Sequence, residues 1–184
     1  LMVKGHTVIG GVRNIPEKPL PGVEYRNVSD LSVDTDWRKV LTDINAVVHC
    51  AARVHVMSEA SVDPLTAYRE VNVKGTACLA EQAVNSGIKR FIYISSVKVN
   101  GETTSGHPFK ADDTPAPEDP YGTSKWEAEQ VLREIFQKTA LEVVIIRPPL
   151  VYGPGVRANF FRLMQGVMSG VPLPFGAVNN RRSM

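Results

Sequence analysis

Short apolar runs alternate with longer segments of helical spacing along this chain. The runs at 7–9, 46–50, 90–94 and 142–146 are rich in β-branched residues and predict buried strands. The segments 36–43, 63–86 and 121–139 have the spacing of helices. Apolar strands separated by helices are typical of a parallel sheet covered on both faces. The pattern therefore predicts an α/β fold.

Glycine and proline positions support these elements. Gly87 predicts a helix end just before the strand at 90–94, and Gly5 predicts the end of a helical turn at the start of the chain. Asp119 followed by Pro120 predicts a helix start, with aspartate as N-cap and proline at the first helical position. The segment 97–119 between them is long, polar and interrupted by prolines. Loops of this kind in compact domains are usually functional.

Composition narrows the function classes. The 184 residues are 43% hydrophobic with a formal net charge of +2, and the basic residues are scattered rather than clustered. A nucleic-acid surface is therefore excluded, and no apolar run approaches the length of a membrane span. Cys50 and Cys78 form no CxxC pair and no metal-ligand spacing with histidine, so no metal site is expected. We expect a reduced, cytoplasmic protein.

The candidate chemistry begins with Tyr121 and Lys125, which share one face of the predicted helix 121–139 because they are four residues apart. A lysine ammonium favours a neighbouring phenolate, so we expect Lys125 to lower the pKa of Tyr121 and make it an acid/base. Ser96 follows the strand 90–94. Ligands of parallel sheets bind beyond the carboxyl ends of the strands. The Ser96 hydroxyl could therefore hold a substrate hydroxyl beside Tyr121.

Five blocks occur in a fixed order: His-Cys-Ala-Ala at 49–52, Asn-Val-Lys-Gly-Thr at 72–76, Ile-Ser-Ser-Val-Lys-Val-Asn-Gly at 94–101, Tyr-Gly-Thr-Ser-Lys at 121–125 and Arg-Pro-Pro-Leu-Val-Tyr-Gly-Pro-Gly at 147–155. With these blocks the chain resembles the extended short-chain dehydrogenase/reductase family, in particular its nucleotide-sugar epimerases, dehydratases and reductases. The resemblance covers nearly all 184 residues.

The resemblance implies a Rossmann-like, doubly wound parallel sheet that is incomplete at both ends. The first strand and its glycine-rich loop would precede Leu1, and most of the substrate domain would follow Met184. Residues 1–155 would form the dinucleotide-binding domain, and residues 156–184 would begin the substrate-binding region. Gly10-Gly11 does not replace the glycine-rich loop, because Pro16 and Pro19 follow where a helix should begin.

The resemblance also implies roles for individual residues. Tyr121 would be the acid/base, Lys125 would hold the nicotinamide ribose, and Ser96 would orient the sugar hydroxyl. Contacts to the cofactor would also come from Arg13, Asp30, Leu31, Ala51, Ala52, Asn72, Ser95 and Pro148. Asn159 and Arg182 resemble positions that bind the substrate diphosphate, a task that suits the guanidinium of arginine.

The cofactor implied is NAD or NADP. Val12 stands where NAD-preferring relatives often carry aspartate, and Arg13 could meet a 2′-phosphate, which tilts the prediction modestly towards NADP. A further departure is Asn100, which stands where many relatives have tyrosine and would change the packing of the loop.

The resemblance leaves the reaction open between several types. Sugar dehydratases of the family carry an Asp-Glu pair where this chain has Val97-Lys98, so elimination of water is disfavoured. The preferred prediction is a UDP-hexose 4-epimerase that acts by transient oxidation at C4. The alternatives are an NADPH-dependent nucleotide-sugar 4-ketoreductase and a non-catalytic, Rossmann-like binding or regulatory protein. A nucleotide sugar is the expected substrate, and a homodimer would pack through the helices at 63–86 and 121–139.

Overall fold

The computed structural model describes residues 1–54, 63–104, 106–153 and 158–170. Its contacts divide the chain into two units, residues 1–147 and 148–184. The first unit contains five strands, which are β1 (Val8–Val12), β2 (Val23–Asn27), β3 (Ala46–His49), β4 (Arg90–Ile94) and β5 (Glu142–Ile146). The second contains the helix α4 (Ala158–Met168). The domain boundary predicted after residue 155 stays a prediction.

The strands form two parallel sheets within the described residues. β1 pairs with β2, with Val8 opposite Val23, and β4 lies between β3 and β5 in the second sheet. All three pairings are parallel, which requires connections that cross over from the end of one strand to the start of the next. The α/β class and the parallel strand direction are confirmed.

The helices of the first unit occur where caps predicted them. The segment predicted as one helix at 63–86 comprises α1 (Pro64–Tyr68), a π-helix (Arg69–Gly75) and α2 (Thr76–Asn85). Gly87 follows with a φ of 73°, as expected for a glycine after a helix end. α3 (Pro120–Lys138) begins at Asp119, whose Oδ1 accepts a hydrogen bond from Gly122 N at 2.5 Å. The homodimer predicted through these helices stays a prediction.

Two local predictions were wrong. Residues 36–43 form turns rather than a helix, although Trp37, Val40 and Leu41 are buried as their spacing suggested. β2 was missed, because the charged Glu24 and Arg26 alternate with its apolar residues. Such alternation is typical of a half-exposed strand.

The core lies on one face of the three-stranded sheet. Phe91 and Tyr93 of β4 are fully buried there and pack in one cluster with Ala83 of α2 and Leu132 of α3. On the opposite face, the three side chains that are 42–43% exposed are Val48, Val144 and Ile146. Burial on both faces was expected, and among the described residues of the first unit α2 and α3 cover this one face. No helix among the described residues has the length and apolarity needed to cross a membrane.

Candidate active site

Ser96 and Tyr121 meet at the carboxyl end of β4. Ser96 precedes a 3-10 turn (Val97–Val99), and its Oγ accepts a hydrogen bond from Lys98 N at 3.3 Å. Tyr121 lies in the first turn of α3, and the Ser96 hydroxyl is near enough to this phenol to lower its pKa. The two hydroxyl groups predicted to act together are therefore adjacent.

The protonation state of Tyr121 differs from the expectation. Burial raises the pKa of this phenol, and the negative charge of Asp119 raises it further. The hydrogen bond from Ser96 and the charge of Lys98 oppose this increase only in part. The prediction that Lys125 lowers the pKa of Tyr121 was wrong, because Lys125 is directed elsewhere.

Lys125 is fixed to the end of β4. Its side chain lies in the interior, 1% exposed, and Nζ donates a hydrogen bond to the Ile94 carbonyl oxygen at 2.7 Å. The ammonium also lies 4.1 Å from the centre of the Tyr93 ring. Burial lowers the pKa of Lys125 to about 8, with Glu129 and Cys50 acting in the opposite direction. The sequence therefore predicted its place beside the strand end but not its partners.

Asn72 connects the loop after β3 to two helical segments. Its Oδ1 accepts from Arg53 N at 2.7 Å, and its Nδ2 donates to Arg53 O at 3.0 Å and to Ser124 Oγ at 2.9 Å. The predicted cofactor residues Ala51 and Ala52 lie in this loop, directly after the end of β3. Asn72 is buried, so its visible role is to hold this loop against the π-helix and α3.

Ser95 has a different environment from Ser96. Its Oγ is buried and donates to Glu129 Oε1 at 2.6 Å. Glu129 also pairs with Arg147 through bonds of 2.9 and 2.6 Å, and Arg147 Nη1 donates to Asn100 Oδ1 at 3.2 Å. The predicted cofactor contact of Ser95 therefore does not use its hydroxyl, which belongs to an interior polar network. The sequence analysis missed this network, whose only signal was a glutamate four residues after Lys125.

Arg13 and Asp30 meet beyond the carboxyl ends of β1 and β2. Arg13 Nη1 lies 2.9 Å from Asp30 Oδ1, and both side chains are largely exposed. Leu31 follows and is partly buried against the position of Gly75. The structure thus brings together three of the residues that were expected to contact the cofactor.

Lys98 is a residue near Tyr121 to which the sequence analysis gave no role. Its Nζ contacts Asp119 Oδ2 at 2.5 Å and Glu102 Oε1 at 2.6 Å. Its position after the strand-end serines was the available signal.

The remaining predicted residues belong to the second unit or fall outside the described residues. Pro148 belongs to the second unit, and Asn159 lies in α4 of that unit. Arg182 lies outside the described residues. Their binding roles stay predictions. Among the described residues, no group of three or more His, Cys, Asp or Glu side chains could hold a metal ion.

The residues present fit two parts of a dinucleotide. The buried ammonium of Lys125, which is bound to the Ile94 carbonyl at the end of β4, suits a nicotinamide ribose, and the edge at Arg13 and Asp30 suits an adenosine. Among the described residues, no glycine-rich turn of the kind that would bind the pyrophosphate connects a strand to a helix.

Comparisons with known proteins agree with this geometry. A model of the NAD dependent epimerase/dehydratase family matches residues 1–182. A UDP-glucose 4-epimerase of Vibrio cholerae is 56% identical over 159 residues, which cover 85% of this chain and 48% of that protein. An N-acetyl-alpha-D-glucosaminyl-diphospho-ditrans,octacis-undecaprenol 4-epimerase of Escherichia coli O157:H7 is 33% identical over 88% of this chain and 47% of its own length. The chain thus spans about half the length of these relatives.

Two solved structures show the same fold. The UDP-glucuronic acid 4-epimerase from Bacillus cereus in complex with NAD superposes with a TM-score of 0.75 at 26% identity, over 92% of this chain and 58% of that one. MoeE5 in complex with UDP-glucuronic acid and NAD superposes with a TM-score of 0.76 at 29% identity, over 94% and 56%.

Proposed function

This chain belongs to the NAD-dependent epimerase/dehydratase family, and from that membership we propose that the protein is an epimerase that inverts C4 of a UDP-linked hexose. The observation that carries the proposal is the proximity of Ser96 and Tyr121 at the carboxyl end of β4, where Lys125 is also bound. The names of the relatives support the same reaction, because the Vibrio protein and the Bacillus protein are both described as 4-epimerases.

The proposed mechanism gives each residue one task. When NAD is bound, it supplies the acceptor for the C4 hydride and the donor that returns it. Tyr121 Oη takes the proton of the C4 hydroxyl in the oxidation and gives it back in the reduction. Ser96 Oγ holds that hydroxyl beside Tyr121. Lys125, which is bound to the end of β4, would hold the nicotinamide ribose close to both.

The raised pKa of Tyr121 has a consequence for the pH dependence of the reaction. The side chain is a neutral phenol at neutral pH, because burial and Asp119 both disfavour the phenolate. Proton return is therefore available at once, whereas proton abstraction needs the small deprotonated fraction. We expect kcat to rise with pH across the neutral range.

The Arg13–Asp30 ion pair favours NAD over NADP. A 2′-phosphate near Arg13 would also lie near the carboxylate of Asp30, and like charges repel. The sequence analysis tilted towards NADP because Arg13 was considered without this partner. The two solved neighbours described above are complexes with NAD.

Lys98 argues against the dehydratase reaction. Elimination of water would need an acid and a base at 97 and 98. Instead, the Lys98 ammonium is paired with Asp119 and Glu102. A 4-ketoreductase activity is the alternative outcome of the experiment, because Tyr121 could also donate the proton in a single reduction.

The test uses the purified native gene product. Mass spectrometry of nucleotides released by denaturation should identify NAD, and NMR should follow interconversion of UDP-glucose and UDP-galactose without added reductant. Tyr121→Phe should lower kcat about a hundredfold or more. Tyr25→Phe, in the other sheet, removes a hydroxyl that accepts only from Leu20 N among the bonds recorded, and should leave kcat unchanged.

Three outcomes would contradict the proposal. Steady consumption of NADPH with a 4-keto sugar would identify a reductase. Unchanged turnover in Tyr121→Phe would remove the acid/base role from this residue. A protein that releases no dinucleotide and converts none of the tested UDP-hexoses would be a non-catalytic member of the family.

A further inference from the structure

An ion pair connects the turn that carries Ser96 to the start of the helix that carries Tyr121. Lys98 Nζ lies 2.5 Å from Asp119 Oδ2. The same lysine gives its backbone N–H to Ser96 Oγ, and the other oxygen of Asp119 accepts from Gly122 N at 2.5 Å. Each partner of the ion pair is therefore hydrogen-bonded to the segment that positions one of the two active hydroxyl groups.

Close packing of the backbone accompanies this ion pair. A Cβ added to Gly122 would lie 2.9 Å from the Lys98 carbonyl oxygen and 3.1 Å from Asp119 Oδ1. Such distances are shorter than side chains normally permit, so glycine allows the turn and the helix start to approach each other. The ion pair thus fixes two segments that are already in direct contact.

The charged groups around Tyr121 come from several elements. Asp119 raises the pKa of Tyr121, and Lys98 lowers it. The Tyr68 ring of α1 packs edge-on at 6.1 Å, and Tyr121 contributes to the raised pKa of the buried Tyr93 of β4. Lys125 on α3 itself is bound to Ile94 O.

The groups behind this shell are also paired. Glu102 shares the ammonium of Lys98, and Arg53 lies over the Tyr68 ring at 5.7 Å. Lys98 and Asp119 are consequently the two opposite charges in direct contact that both act on Tyr121.

We propose that Lys98 is a positioning residue for Tyr121: its ion pair with Asp119 holds the Ser96 hydroxyl against Tyr121 and offsets the charge of Asp119 beside the phenol. This inference rests on the proposed function for its effect on turnover. Its effect on Tyr121 itself is independent of any reaction.

Two single variants separate electrostatics from packing. Lys98→Met leaves Asp119 unbalanced and should raise the pKa of Tyr121. Asp119→Asn keeps a good N-cap but removes the negative charge, and should lower that pKa. Both variants break the ion pair, yet the proposal requires shifts in opposite directions, each about half a pH unit or more. In the double variant Lys98→Met/Asp119→Asn, the pKa of Tyr121 should be near its native value. Lys98→Arg should leave that pKa unchanged.

The direct measurement is a pH titration of tyrosine labelled at Cζ with ¹³C, followed by NMR in the native gene product. Comparison with Tyr121→Phe assigns the resonance of Tyr121. Lys138→Met is the matched control, because it removes an exposed lysine of α3 that pairs with Glu134. It should leave the titration unchanged.

Kinetics provides the second readout. With a UDP-hexose, Lys98→Met should lower kcat about tenfold, with KM changed less than about twofold. In a plot of kcat against pH, the rise of kcat should shift to higher pH. Asp119→Asn should shift the rise of kcat to lower pH. Lys98→Gln, which keeps a polar side chain, should behave as Lys98→Met does and guards against a folding defect in one variant.

Shifts of the same sign in Lys98→Met and Asp119→Asn, or no shift in either, would overturn this inference. That result is distinct from failure of the proposed function, which would appear as absence of epimerisation by the native protein while the NMR shifts persist.

Discussion

Lys125 is placed at a candidate active site, and the burial of its charge lowers the stability of the folded protein. Its ammonium is almost fully buried, and within hydrogen-bonding distance it meets the carbonyl of Ile94 rather than a carboxylate. Burial lowers its pKa from 10.5 to about 8. A charged group held in this way destabilises the folded state whenever it carries its proton.

The stability of the protein should therefore depend on pH through Lys125. The unfolded chain binds this proton up to pH 10.5 but the folded chain only up to about 8, so the free energy of unfolding should rise between these values. At about 1.4 kcal/mol per pH unit, the contribution is about 3 kcal/mol. Urea denaturation should find Lys125→Met more stable than the native protein at pH 7, with a difference that narrows towards pH 10.

Lys138→Met serves as the control for this experiment, because Lys138 is exposed and its pair with Glu134 is worth little. Its stability should follow that of the native protein at every pH. If the free energy of unfolding depended on pH in the same way for Lys125→Met and the native protein, the burial of Lys125 would carry no such cost.

At the scale of single residues, the sequence could predict which residues meet at the end of a strand, but not where Lys125 is directed on the helix face that it shares with Tyr121. Ser96 and Tyr121 belong to that class, because the parallel strand direction fixes where β4 ends and α3 begins. The contacts of Lys98 and Ser95 could not be predicted in this way. Their contacts depend on how the loop before Asp119 folds back and on which serine hydroxyl turns inward, and neither is encoded in residue spacing.

At the scale of elements, Gly75 is where the π-helix meets the loop after β2. A Cβ at this position would lie 2.7 Å from Leu31 Cγ and 3.2 Å from the Leu31 carbonyl carbon. The backbone of Gly75 is buried and helical, so its glycine serves this close approach rather than an unusual φ. The approach also places Leu31 and Asp30 at the end of β2.

Gly75→Ala should destabilise the protein by about 1–3 kcal/mol, because Leu31 and its backbone must shift. Helix propensity alone predicts the opposite, a gain of about 1 kcal/mol. Thermal denaturation decides between them. The double variant Gly75→Ala/Leu31→Ala should lose less stability than the sum of its single variants, whereas Lys74→Ala, at the exposed neighbouring position, should change stability by about 0.5 kcal/mol or less.

Strands with unbroken apolar runs were predicted correctly. The prediction failed for residues 36–43, where helical spacing of apolar residues reflects their contact with the core rather than a helix. β3, β4 and β5 were identified because buried parallel strands are apolar along most of their length. Residues 36–43 have helical spacing at Trp37, Val40 and Leu41, but so short a segment gains too little from its own hydrogen bonds to form a helix. Its apolar residues reach the core from turns instead.

At the scale of the whole molecule, Glu129 and Arg147 connect elements that are distant in sequence. Glu129 of α3 is 0% exposed, and Arg147 follows β5 with its side chain 11% exposed. Ser95 after β4 and Asn100 in the loop before α3 complete their hydrogen bonds. Asn100, which departs from the tyrosine of many relatives, therefore has a defined role as an acceptor for Arg147.

A buried ion pair of this kind is expected to be costly to break and replaceable as a unit. Arg147→Met should destabilise the protein by about 3–5 kcal/mol in urea denaturation, because the buried carboxylate of Glu129 loses its guanidinium partner and keeps the hydrogen bond from Ser95. The double variant Arg147→Met/Glu129→Leu should recover much of that loss, since neither charge remains in the interior.

The chain provides its own control at the opposite end of the same strands. Arg90 and Glu142 pair at the amino ends of β4 and β5, but both side chains are more than half exposed. Arg90→Met should therefore cost less than about 1 kcal/mol. Equal losses for Arg90→Met and Arg147→Met would mean that burial does not distinguish the pairs, and the polar network at the carboxyl ends of the strands would then have no special part in joining α3 to the sheet beside Ser96.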